Sequence, residues 1–176
     1  MCKTIAGQSA HMEIDIRHLT PGDSDWIVQQ HAQSYAVSDG FDASFARTVA
    51  QILSDFEAEH DPACERGFVA WQGAQRLGCI FCVKQDDQTA KLRLFLLVPE
   101  ARGKGLGKFL LQTCMGWARG QGYDRMELWT HESHKAACAL YDRAGWRCRG
   151  SRPVTSFGVA LVEQIWEVDL HAADVW

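Results

Sequence analysis

The clearest chemical pattern is a run of thirteen residues: Leu96-Leu97-Val98-Pro99-Glu100-Ala101-Arg102-Gly103-Lys104-Gly105-Leu106-Gly107-Lys108. An apolar, strand-like stretch passes through three closely spaced glycines into a helical apolar pattern. The glycines let the backbone turn with no side chain in front of its N–H groups. The first N–H groups of a helix lack intrahelical partners and lie at the positive end of its dipole. Arg102, Lys104 and Lys108 add charge to the same place, which makes a cradle suited to phosphate. It is not a Walker loop, because Arg102 stands where the first glycine would be and Phe109 where Ser or Thr would follow the lysine. A dinucleotide fingerprint starting at Gly103 would need glycine at 108, and that residue is Lys108. What remains is Arg-x-x-Gly-x-Gly, from Arg102 to Gly107.

Other reactive side chains are scattered. Tyr141 lies on a helical stripe with Ala137, Leu140 and Ala144. On the residues alone it reads as a core tyrosine rather than as a proton donor. His131-x-x-His134 lacks the Glu–His helix pattern of a zinc enzyme, so no metal is expected. Seven cysteines are an odd number dispersed through apolar runs. Cys79-x-x-Cys82 lies in a strand-like run, where residues three apart point to opposite faces. Buried thiols are expected, with no disulfide framework, and a cytoplasmic location.

The chain of 176 residues carries 18 Lys and Arg against 22 Asp and Glu, a net charge of −4. That balance argues against nucleic-acid and anionic-membrane partners. Between Lys91 and Gly150, however, there are 11 basic residues against 5 acidic. One basic stretch, built for an anion, is thus set in an otherwise acidic protein. No window approaches a membrane span. Residues 1–12 show no period and are read as a flexible N-terminus, with Met12 an alternative start. Residues 13–176 are read as one domain.

The elements follow from periodicity. Glu13–Leu19 alternates as a strand. Two helices follow, one through Trp26, Ile27, His31 and Tyr35, the other through Phe45, Val49, Ile52, Leu53 and Phe56. Residues 67–72 and 76–84 read as a hairpin, and Ala90–Val98 as a mostly apolar strand. A third helix runs from about Gly105 to Arg119, with Leu106, Phe109, Leu110, Cys114 and Trp117 inward. Arg125–Thr130 is a strand and His134–Ala144 a helix stopped by Gly145. Short strands at Arg147–Arg149 and Ala160–Leu170 close the chain. The order β-α-α-β-β-β-α-β-α-β-β predicts an α+β fold, a mixed sheet with helices on both sides.

The Arg102–Gly107 pattern resembles the pyrophosphate loop of GCN5-related N-acetyltransferases, the GNAT family. Ala137-Cys138-Ala139-Leu140-Tyr141-Asp142-Arg143-Ala144-Gly145-Trp146 is similar to that family's second signature. Trp129-Thr130-His131, Ser156-Phe157-Gly158 and Trp166-Glu167-Val168-Asp169-Leu170, with Asp61-Pro62 to Glu65-Arg66, resemble the acetyltransferase half of bacterial MarR–GNAT fusion proteins. The likeness covers nearly all of the chain past residue 13.

The resemblance implies a mostly antiparallel sheet of six or seven strands with a central, splayed parallel pair. It implies acetyl-CoA as co-substrate. The pantetheine arm would pair near Leu96, Leu97 and Val98, and the phosphates would sit on Gly103, Lys104, Gly105, Leu106, Gly107 and Lys108. Arg102 would supply charge or brace the loop. Tyr141 would protonate the departing thiolate. His134 replaces the asparagine that often binds pantetheine, three residues before Ala137. His31, Tyr35, Phe41 and His131 are the candidates for the acceptor site. No carboxylate base stands on the central strand, whose charged residues are Lys91 and Arg93; His31, Glu127 and Glu132 are the alternatives. Asp39 and Asp42 in the roof would suit a cationic amine, although solvated surface acids are the favoured account of them. The function implied is acetyl transfer from acetyl-CoA to a primary amine of a small molecule, peptide or protein, by direct attack in a ternary complex. The alternative is a non-catalytic acyl-CoA sensor or regulatory module. A homodimer is left open.

Overall fold

The computed structural model describes residues 14–172; the segment 1–12 and the terminal Trp176 lie outside the described residues. Strand β1 (Ile14–His18) leads into helices α1 (Pro21–Asp39) and α2 (Ala43–Glu59). The hairpin β2 (Arg66–Gln72) and β3 (Gln75–Lys84) is followed by β4 (Thr89–Leu97). A 3-10 turn at Pro99–Ala101 precedes helix α3 (Leu106–Gly120). Strand β5 (Arg125–His131), helix α4 (Lys135–Arg143), and strands β6 (Arg147–Ser156) and β7 (Val159–Asp169) complete the order.

Local chemistry sets the helix ends. Pro21 opens α1, and the Asp23 carboxylate accepts from the Thr20 N–H at 2.8 Å. Gly40, at φ +73°, closes that helix in the left-handed conformation that glycine tolerates best. Asp42 then starts α2 by accepting from the Ser44 N–H at 2.8 Å.

The strands form one sheet in the order β1-β2-β3-β4-β5-β7-β6. Every neighbouring pair is antiparallel except β4 with β5. Helices α1 and α2 cover one face, where Ile27, Val49, Leu53 and Phe56 pack on Val69, Cys79, Phe81 and Leu96. Helix α3 covers the other face, with Leu110, Leu111, Cys114 and Met115 among Phe68, Ile80, Cys82 and Met126. Cys79 and Cys82 therefore end in different cores, both buried, and burial pushes the Cys79 thiol pKa up. Among the described residues no helix is long and apolar enough to cross a membrane.

Two expectations need correction. Phe109 is 47% exposed. The buried stripe of α3 centres on Leu110, Leu111, Cys114 and Ala118, which turns Phe109 outward. Strand β6 runs to Ser156 rather than ending at Arg149. It is the edge strand, mostly exposed, so neither face imposes the apolar alternation from which a strand is read.

Candidate active site

The parallel pair β4–β5 is short. Its partners are Thr89 with Arg125, Ala90 with Met126 and Lys91 with Glu127, and the strands separate beyond that point. From Leu92 to Leu97, β4 pairs only with β3. A bulge lies in the same segment. Leu94 and Phe95 together face the single residue Ile80 between the pairs Phe81–Arg93 and Cys79–Leu96. Leu94 sits at φ +49°, an uncommon conformation for a side-chain-bearing residue. The extra residue reverses the facing of everything after it. Leu94 and Leu96 join the α1–α2 core, while Phe95 turns to the α3 side.

The glycine loop follows β4 directly. Gly103 and Gly105 have φ of +72° and +83°, and a Cβ built on either meets nothing within 4 Å. The space in front of the loop and the start of α3 therefore fits a phosphate group. Gly107 serves a different purpose: a Cβ there would press on Leu140 and Leu97, each at 3.4 Å. Arg102 braces the loop, its Nε donating to the Leu97 carbonyl at 3.1 Å. Val98 is also held inside the chain, donating to the Leu77 carbonyl at 2.9 Å and accepting from the Ala101 N–H at 3.0 Å.

Tyr141 stands on α4 next to Leu140, so the contact of Gly107 with Leu140 ties the loop to the tyrosine's helix. Its ring is 4% exposed and packs against Phe95, Trp146 and Trp166. Burial, with lesser contributions from Tyr35 and two cysteines, raises its pKa. Ala137 is partly buried one turn earlier on the same helix.

Tyr141 lines a cavity of about 280 Å3 at the splay. Its walls come from α1 (His31, Tyr35), α2 (Phe45, Thr48), β4 (Lys91 to Phe95), and β5 with the residues after it (Trp129 to His131, His134). Phe157, in the β6–β7 turn at φ +53°, closes one side.

The model of the acetyltransferase (GNAT) family matches residues 28–146. This chain belongs to the GNAT family. N-acetyltransferase 8F1 of Rattus norvegicus is 33% identical over 95 residues, which are 51% of this chain and 43% of the relative. The chain spans less than half the length of the curated relatives it matches. Among solved structures, spermidine N-acetyltransferase from Vibrio cholerae, in complex with CoA and spermine, superposes with a TM-score of 0.69. It is 17% identical and covers 90% of this chain and 96% of its own. The Salmonella typhimurium protein yncA, with its cofactor acetyl-CoA, gives 0.68 at 18% identity, covering 90% and 94%.

In this GNAT chain His31 is 2% exposed, and its Nδ1 lies 2.9 Å from the Ile27 carbonyl. A carbonyl only accepts, so Nδ1 carries the proton and Nε2 keeps its lone pair. Burial lowers the pKa of His31 to about 4, although the Ile27 bond works the other way. Tyr35 stacks on it at 6.0 Å, its own pKa pushed up to about 12 by burial and by Asp39. His131 also lines the cavity, with its Nδ1 buried and unpartnered and its pKa lowered by burial and by His134. His134 is tied down at both nitrogens, Nε2 to Asp39 at 3.1 Å and Nδ1 to Thr130 at 3.4 Å. Phe41 does not line the cavity; it supports Tyr35, Phe45 and His131 from behind.

The acids expected near the acceptor do not line the cavity, although Asp39 stands directly behind its wall at His134. Asp39 holds Ser133 and His134, and Asp42 caps α2. Glu127 accepts from Gln85 at 2.9 Å, and Glu132 lies 3.7 Å from Lys135; neither lines the cavity. Of the three base candidates only His31 reaches it. Sequence reasoning missed Phe45, Val49 and Ile52 as lining residues, because an apolar helical stripe reads as core. No metal-binding cluster is found among the described residues.

Proposed function

We propose that this chain transfers an acetyl group from acetyl-CoA to a primary amine, directly within a ternary complex. The observation that carries this reading is the join between the splayed β4–β5 pair, the glycine loop at the start of α3, and Tyr141. Bound acetyl-CoA would supply the acyl group and a thiol leaving group. Gly103 to Lys108 would hold its phosphates through backbone N–H groups, and the unpaired side of β4 around Leu96 and Leu97 would meet the amide-rich arm. Tyr141 would give its proton to the departing sulfur. Its raised pKa keeps the phenol protonated, and therefore able to donate, across the working range. His31 Nε2 would accept the proton that the attacking amine must lose. The pKa of about 4 keeps His31 neutral at working pH but makes it a weak base, so it would take the proton only as the C–N bond forms and the amine becomes acidic.

A second reading is favoured by one observation: no carboxylate is among the cavity-lining residues. On that reading the chain binds acyl-CoA without turnover, as a sensor or regulatory module. Release of free thiol from acetyl-CoA over a panel of amines separates the two. Turnover with any amine supports transfer; tight acetyl-CoA binding with no release supports the sensor. Tyr141→Phe is expected to keep acetyl-CoA affinity within about twofold and to cut kcat ~10²-fold or more. An unchanged kcat across pH would remove Tyr141 from the mechanism.

A further inference from the structure

Resting on the transfer reading, we propose that the acceptor is a small amine that also carries a carboxylate, joined to an apolar or aromatic body. Lys91 and Arg93 would bind that carboxylate.

The lining of the cavity selects this class. Its titratable walls are histidines, tyrosines and two full cations, with no aspartate or glutamate. Lys91 and Arg93 are two residues apart on β4, on the same face. Burial lowers the Lys91 pKa, the Arg93 charge lowers it further, and Glu127 and Glu163 offset this only in part. Both of those carboxylates have other partners: Glu127 accepts from Gln85, and Glu163 pairs with Arg152 at 2.7 Å. Among the described residues no carboxylate lies within ion-pair distance of Lys91 or Arg93. Arg93 also borders a second cavity that carries Asp55, Glu59 and Glu65. Two neighbouring like charges in a half-closed site repel one another, and an anion placed between them relieves that cost.

The coenzyme's pyrophosphate is not that anion. The strand from Lys91 to Leu97 alone spans ~20 Å, and the glycine loop begins beyond it. Lys91 stands at the other end of the splay, at the last β4–β5 pair, and Arg93 two residues past it. The rest of the wall gives the body of the acceptor. Tyr35, Phe45 and Phe157 cluster at 4.8 to 4.9 Å between centroids. Trp129, 51% exposed, holds the Lys91 ammonium 4.1 Å above its ring. Among the lining residues a cationic polyamine would meet two positive charges and no carboxylate.

The test compares matched acceptors with the full chain and acetyl-CoA, reading thiol release. Phenylalanine, phenethylamine (the same body without the carboxylate) and spermidine are the three arms. Binding of N-acetylphenylalanine and N-acetylphenethylamine to the CoA-loaded protein is measured in parallel by calorimetry. A charged hydrogen bond is worth ~1.5–3 kcal/mol, so kcat/KM for phenylalanine should exceed that for phenethylamine by about 10-fold or more. Arg93→Gln and Lys91→Gln should each collapse that ratio, mainly through KM for the acid, and Arg93→Lys should keep most of it. Phenethylamine or spermidine matching phenylalanine would overturn the proposal, as would an acid preference that survives both glutamine variants. If no amine releases thiol, the calorimetry still decides. A preference for N-acetylphenylalanine that falls in Arg93→Gln leaves the anion site standing while the transfer reading fails. No such preference removes both.

Discussion

At the scale of single residues, the proposed transfer rests on two side chains whose ordinary titration is suppressed. Tyr141 is held protonated by its buried packing between Phe95, Trp146 and Trp166. The rate should therefore not fall on the alkaline side up to about pH 10, the ordinary phenol value, and a pH–rate profile checks this. His31 is the converse case, a buried imidazole kept neutral. Its folded pKa of about 4 lies below the ordinary imidazole value of 6.5. Between those values the unfolded chain binds more protons, so stability falls as pH drops through this window and is constant above it. The loss by pH 5 is about 2 kcal/mol if His31 acts alone. Urea midpoints for wild type at pH 5 and 7.5 should show it, and His31→Leu should remove this part of the difference. A tautomer and a depressed pKa are tertiary properties. The sequence made His31 a candidate base, but only the Ile27 carbonyl shows which nitrogen is bare.

At the scale of elements, the loop and the α1 start carry the sharpest expectations. Gly105→Ala puts a side chain at φ +83° without a steric neighbour, so its cost is conformational, ~1 kcal/mol in stability. It should also weaken acetyl-CoA binding by shifting the first N–H groups of α3, which calorimetry reads directly. Asp23 is 1% exposed, bonded to Arg76 at 2.7 Å and to Thr20 at 2.8 Å. Burial works to raise its pKa, but those bonds and the Arg76 charge outweigh it. Its stabilisation is therefore complete above the ordinary carboxylate value and disappears as pH falls through the lower, folded one. Asp23→Ala should cost ~2–3 kcal/mol at pH 7, seen as a lower Tm, since Arg76 keeps some water contact. These elements were largely legible. The stripe Val49, Leu53, Phe56 reads as helix because one face is buried, and the glycine loop because three glycines break a pattern. The bulge at Leu94 was not legible, since a run of alternating leucines looks the same with or without a reversal of facing.

At the scale of the whole molecule, the charge division acquires a geometry. The basic segment from Lys91 to Gly150 contributes the loop, β4 and α4, so two separate cationic sites lie along one splay. Composition suggested an anion; only the spacing along β4 divides the charge into two. The cavity was the least legible feature, because its walls come from α1, α2, β4, β5, α4 and the β6–β7 turn, which no local pattern connects. The outer strand β6 brings one more consequence. It ends the sheet with a row of unpaired backbone groups, and it carries Arg147, Arg149, Arg152 and Pro153 along that margin. Each arginine is drawn inward to a carboxylate, Asp142, Glu167 or Glu163, while the proline offers no N–H. A second sheet that tried to continue this one would meet like charges and a missing donor, so stacking of copies end to end through this rim is opposed by the chain itself.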